Sequence, residues 1–161
     1  MSSKKYQHGK RDWFDGLLLT NLVYVLASIF SFVSEQYTCA ILQFGAAIAS
    51  TLFHRSRETK FLPVDACISG TLGIIWGYAF FHVLEKELHG FLCYKLIQAI
   101  ACVFTWVYCG MPGGHRYETW HKRWHYVSGW TTFSSSVFLC MYVPEFDTYV
   151  MELLFSSGFI S

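Results

Sequence analysis

The stretch VDACISGTLGIIWGYAFFHVL, residues 64–84, decides the fold. It opens on one carboxylate, Asp65, and then runs apolar or small as far as Leu84. A bilayer core takes about 20 apolar residues in helical form. Backbone groups in lipid must pair within their own segment, so such a run reads as a helix. Working outward, four more segments qualify to within a turn. GLLLTNLVYVLASIFSFVS (16–34) and YTCAILQFGAAIASTLFH (37–54) precede it, FLCYKLIQAIACVFTWVYC (91–109) follows, and the last runs through about 121–143 and ends before Pro144. The expectation is an all-α integral membrane helix bundle of about five transmembrane helices. It forms one domain, 1–161, with no linker, internal repeat or low-complexity tract.

Composition agrees. Charged residues make up 14% of the chain and hydrophobic ones 53%, where a soluble domain carries roughly 25% charged residues. A net charge of +1 excludes a global field for nucleic acid. The six cysteines (Cys39, Cys67, Cys93, Cys102, Cys109, Cys140) form no CxxC pair and lie mostly in apolar blocks. They read as small buried hydrophobes. Lys95, near the start of the fourth segment, reads as a side chain that snorkels to the interface. The first segment follows Lys4, Lys5, Lys10 and Arg11, as a signal peptide would. It is longer than an ordinary h-region and lacks a small-x-small cleavage site, so it reads as a retained span.

Loop charge sets the orientation. The basic N-terminal tail, the loop with Arg55, Arg57 and Lys60, and the segment with Arg116, Lys122 and Arg123 fall on one side of a five-span chain. Glu35, Glu85, Lys86, Glu87, Glu145, Asp147 and Glu152 fall on the other. The expected arrangement is a multi-pass endomembrane protein (ER or Golgi) with a cytosolic N-terminus. The tail 144–161 is half polar and reads as a short non-cytosolic interfacial helix.

Ionisable residues gather at the cytosolic ends. Ser50 and His54 stand at i and i+4 near the end of the second segment, and His121 and His125 repeat that spacing at the start of the last. Residues so spaced share a helix face. Asp65 follows Pro63 at the start of the third segment, a favourable helix opening. Polar groups at such depth face the bundle interior, so three helices can direct three imidazoles, a carboxylate and a hydroxyl at one point. Each has a plain reading by itself: an interfacial belt with Trp120, Trp124 and Trp130 for HxxxH, a helix cap for Asp65, a bond to its own backbone for Ser50. Their coincidence at one depth points to Zn2+ on His54, His121 and His125 with a fourth position open for water. Asp65 is then placed to move a proton, and Ser50 to donate to a developing oxyanion. His82 and His89 fall at the opposite surface, His8 in the tail and His115 in the loop.

The run STLFHRSRETKFLPVD (50–65), with an acidic residue eleven positions after the histidine, resembles, together with the later HxxxH, the CREST superfamily of membrane zinc hydrolases. That group includes the alkaline ceramidases, the GPI-remodelling lipid hydrolases and the adiponectin-receptor family, and the spacing is most similar to the first two. The resemblance implies zinc on the three histidines, Ser50 and Asp65 in catalytic support, and a lipid substrate reached from within the bilayer. Two departures stand out. The family has seven spans; only about 55 residues separate Asp65 from His121, room for the rest of the third span and the fourth. Losing a helix pair keeps every remaining direction but removes two walls of a lipid cavity, which a homo-oligomer would replace. The stretch from Asp12 to Asp15 also lacks the Glu and Asn of the ceramidase calcium site, so calcium is not carried over. The expected activity is hydrolysis of a lipid amide, ceramide-like. Phospholipid or GPI-lipid ester hydrolysis, a non-catalytic receptor or scaffold with structural zinc, and a haem or metal-transport protein stand as alternatives.

Overall fold

A computed structural model describes residues 13–56, 59–85, 89–109 and 116–156. The basic tail residues Lys4, Lys5, Lys10 and Arg11, together with His8, Arg57, Lys86, Glu87 and His115, lie outside the described residues. All the described secondary structure is helical: α1 (Gly16–Thr20), α2 (Leu22–Val33), α3 (Tyr37–Ser56), a 3-10 turn (Thr59–Phe61), α4 (Leu62–Glu85), α5 (His89–Cys109), α6 (Tyr117–Tyr142) and α7 (Phe146–Ser156). The five expected segments are thus five helical stretches, with α1 and α2 sharing the first. Asp15 caps α1, its carboxylate accepting from the Leu17 N–H at 2.8 Å. Between α2 and α3 the chain turns through Glu35, whose φ of 62° is the left-handed conformation common just past a helix end.

Five long stretches form a ring. α3 packs on α2 and α4, α6 packs on α2 and α5, and α4 meets α5 more sparsely. α2 and α6 come together at Gly129, where an added Cβ would stand 3.2 Å from Val23 Cβ and 3.3 Å from Tyr24 Cε2. Beside that crossing, the Tyr24 hydroxyl is 2.7 Å from Ser128 Oγ. Polar side chains tie the interior. Ser31 donates to Gln43 Oε1 at 3.2 Å, and Gln43 Nε2 donates to Ser136 Oγ at 2.8 Å, joining α2, α3 and α6. The Asp147 carboxylate of α7 accepts from the Thr38 and Cys39 N–H groups and the Thr38 hydroxyl, capping the first turn of α3. Phe146 and Val150, both fully buried, seat α7 in a cluster with Cys39, Ile75, Phe138 and Leu139. The 144–161 tail is therefore helical where described, and it plugs one end of the bundle.

The outside is largely apolar, and the inside mixes an apolar cluster with many polar side chains. Leu26, Ile29, Ile41, Ile48, Ile74, Ile97, Ile100 and Val103 are exposed, while Gln43, Gln98, Thr105, Thr132 and Ser136 are buried. Among the described residues, three helical stretches are long and apolar enough to cross a membrane: Gly16–Val33, Leu62–Phe81 and His89–Cys109. α3 and α6 have the length, 20 and 26 residues. Their hydropathy is lowered by Gln43, Ser50 and His54 on the one and by the Thr131–Ser136 run on the other, residues that largely turn inward.

Candidate metal centre

α3 ends, α4 and α6 begin, and α5 ends at the same pole of the ring, so four helix termini meet there. His54 lies in the last turn of α3. α6 starts four residues earlier than the apolar run suggests, at Tyr117, so His121 and His125 lie on fully formed helix rather than at its mouth. That extra turn fixes their shared face.

Three imidazoles converge through the same ring atom. Nε2 of His121 is 3.1 Å from Nε2 of His54, Nε2 of His125 is 3.0 Å from it, and the two α6 nitrogens are 3.2 Å apart. His54 is 5% exposed and His125 3%, and His121 is half-buried. The rings stand nearly edge to face, at 62°, 82° and 73° to one another. Three nitrogens directed at one point cannot satisfy each other. Protons on all three would collide at the centre, and lone pairs on all three would repel. A cation resolves both. Nitrogens 2.0–2.1 Å from a tetrahedral zinc stand about 3.4 Å apart, within a few tenths of an ångström of the observed triangle. The donor set therefore fits a metal held by three neutral imidazoles with a further position open.

The surroundings orient the rings. His121 Nδ1 is 3.3 Å from Cys109 Sγ, the last residue of α5. With Nδ1 protonated and donating to sulfur, the Nε2 lone pair of His121 is left for the metal, the usual service of an outer-shell partner. Tyr117 stacks on His121 at 4.5 Å between centroids, and Phe53 tilts against His54 at 4.7 Å. Trp124 packs against both α6 histidines. The Nδ1 of His125 is buried and finds no partner among the described residues. Sequence spacing does not single out Cys109, which sits in an apolar block like the other cysteines. The signal that finds it is contact with His121 across the loop between α5 and α6.

The two other expected site residues stand apart from the triangle. Ser50 is buried one turn before His54, but its hydroxyl donates to Asn21 Oδ1 at 3.3 Å; Asn21 in turn donates to Thr51 Oγ1 at 3.0 Å. Asp65 is half-buried in the first turn of α4 and is not one of the residues whose ligand atoms lie within 4.8 Å of one another. The structure thus brings the three histidines together and leaves Ser50 and Asp65 beside them.

Between α2, α4, α5 and α6 lies a cavity of about 630 Å3, within the 300–1,000 Å3 range of small-molecule sites. Four of the helices thus line a sizeable, partly open space without a further pair. Its wall is mainly apolar, with Leu72, Trp76, Phe80 and Phe138 prominent. Trp124 and Ser128 belong to the wall and the three histidines do not, so Trp124, packed on His121 and His125, stands between the cavity and the triangle.

Lys95 differs from its expected position. It does not snorkel outward: it is 9% exposed, and its ammonium donates to Gln98, Ser134 and Ser135. Position along a helix gives depth, but rotation about the axis decides whether a lysine faces lipid or protein, and here it faces α6.

Compared with protein-family models, curated proteins and solved structures, the chain matches none.

Proposed function

We propose that the chain is an integral membrane protein of five spans, with its N-terminus cytosolic and its metal centre at the cytosolic pole. We read it as a zinc-dependent hydrolase of lipid amides, ceramidase-like and resident in the endomembrane system. The observation that carries this reading is the triangle of three Nε2 atoms at 3.0–3.2 Å. The many large apolar side chains exposed on the outside of the bundle support the membrane setting, because soluble monomers rarely expose large apolar surfaces. The cavity beside the triangle supports a lipid-sized ligand.

Zinc, when bound, polarises a carbonyl and brings the pKa of its water to about 7. The chain's residues do the rest. His54, His121 and His125 hold the ion, and Cys109 fixes the tautomer of His121. Asp65 takes the proton of the attacking water and delivers it to the nitrogen of the leaving amine, so that amide and water become carboxylic acid and amine. Ser50, held by Asn21, turns its hydroxyl to the developing oxyanion once substrate enters. Ester hydrolysis of a phospholipid or GPI lipid uses the same groups, with an alcohol leaving.

One observation favours a second reading. The triangle is screened from the cavity by Trp124, and Asp65 lies outside it, as a structural zinc in a non-catalytic receptor or scaffold requires. The two readings part at Asp65→Asn. Asparagine caps a helix about as well as aspartate but cannot carry the proton. Turnover of ceramides, phospholipids and GPI lipids in liposomes should fall roughly 10²–10⁴-fold at matched zinc content. Equal turnover in wild type and variant would remove Asp65 from the mechanism, and no turnover in the wild type would favour the scaffold.

A further inference from the structure

Lys95 is a buried amine whose positive form no carboxylate balances among the described residues. Its ammonium donates to Gln98 Oε1 at 2.8 Å, Ser134 Oγ at 2.7 Å and Ser135 Oγ at 2.8 Å, and lies 3.2 Å from the Thr131 carbonyl oxygen. The rings of Phe91 and Tyr94 face it with centroids at 5.1 and 5.5 Å. Every one of these partners is neutral, and among the described residues no carboxylate pairs with it. Hydrogen bonds to neutral oxygens occupy the N–H groups but do not cancel the charge, and a buried uncompensated charge is costly. Lys95 and Ser135 belong to the wall of the 630 Å3 cavity, which is otherwise mostly apolar. The space therefore has one cationic pole and a long greasy body.

The geometry points to an anionic amphiphile as the ligand of this cavity, its carboxylate or phosphate paired with Lys95 and its acyl chain lying along α4 and α6. The neutral cage of Gln98, Ser134 and Ser135 fixes the amine at the wall, and with its N–H groups occupied the amine draws the anion by charge rather than by a hydrogen bond of its own. Ser135 is ten residues from His125, about 15 Å along α6 at the helical rise. A chain anchored at Lys95 runs toward Trp124 and the histidine pole. Within the proposed lipid-amide class, this selects members that carry an acidic group over ceramide itself, which is neutral. The inference rests on the membrane-bundle reading, and it holds whether or not a bond is cleaved.

The test is binding by the full chain in detergent micelles, read by quenching of tryptophan fluorescence, since Trp76 and Trp124 line the cavity. Two pairs of brominated lipids serve as quenchers: dibromostearate against its methyl ester, and a brominated lysophosphatidate against the matching monoacylglycerol. The acid of at least one pair should reach half-quenching at a mole fraction lower by about tenfold or more, the scale of one partly desolvated charge pair. Which pair discriminates identifies carboxylate or phosphate. Lys95→Met should abolish the discrimination and Lys95→Arg should keep it. An added Cβ at Gly73, on the cavity wall, meets nothing within 4 Å, so Gly73→Leu puts a side chain into the cavity; it should abolish the difference between the members of each pair, leaving only the quenching of outward-facing tryptophans such as Trp106 and Trp130, even if Lys95→Met does not fold. His125→Ala should keep the discrimination, which separates a failure here from a failure of the metal centre. Equal quenching by charged and neutral lipids in the wild type would overturn the proposal, as would discrimination that survives Lys95→Met or Gly73→Leu.

Discussion

At His121 the ring nitrogen that does not face the triangle meets a thiol, and that contact makes Cys109 part of the centre. Removing an outer-shell partner of a metal-bound histidine typically costs 10–100-fold in affinity. Cys109→Ala should therefore weaken zinc binding by about that factor in a chelator competition, with helix content by circular dichroism unchanged. Cys109→Ser, whose hydroxyl also accepts, should recover part of the loss. Unchanged affinity in Cys109→Ala would show that the thiol only fills space. This residue also marks where sequence reading stops. His54, His121 and His125 were legible because two i, i+4 pairs fall at one predicted depth. Cys109 lies twelve residues before His121 with a loop between them, and nothing in its apolar neighbourhood separates it from Cys93 or Cys102. Lys95 was legible as a charge in a span but not as a buried one, because the side it faces depends on the partner helix.

Beside the apolar cluster around Phe138 and Phe146, small and polar residues join α2, α3 and α6. Gly129 is the tightest point, with Val23 and Tyr24 of α2 against the space its missing side chain leaves. Small residues let membrane helices approach closely, and overpacking costs about 1–3 kcal/mol. Gly129→Val should therefore lower the thermal midpoint in detergent clearly more than Gly129→Ala, because the alanine Cβ already crowds Val23 and Tyr24 and valine adds two methyl groups to the same space. Gly70→Ala, where an added Cβ meets nothing within 4 Å, should leave the midpoint nearly unchanged. Equal loss in all three would contradict a close α2–α6 crossing. At this scale the sequence was most informative: each expected segment is a helix, and the proline after the last marks its end. The exact starts were less visible. α6 gains a turn at Tyr117 because polar residues such as Glu118 and Lys122 are acceptable on its outer end, so hydropathy alone places its start too late.

For the molecule as a whole, the ring of helices puts four helix ends and all three histidines at one pole, and the Asp147 cap and α7 at the other. In the proposed topology the histidine pole faces the cytosol. Glycosylation acceptors inserted in 85–90 should be modified in cells and those inserted in 55–63 should not; the reverse would move the metal centre to the lumen. The cavity could not be read from the sequence, since it arises from the sparse contact of α4 with α5, a property of packing and not of any one segment. The central claim is the three-histidine metal centre. It is tested most directly by elemental analysis of the purified full chain beside the variant with His54, His121 and His125 all changed to Ala. The account predicts about one zinc per chain in the wild type and none in the variant. A wild type free of metal after purification without chelators, or a variant that keeps its full zinc, would contradict it.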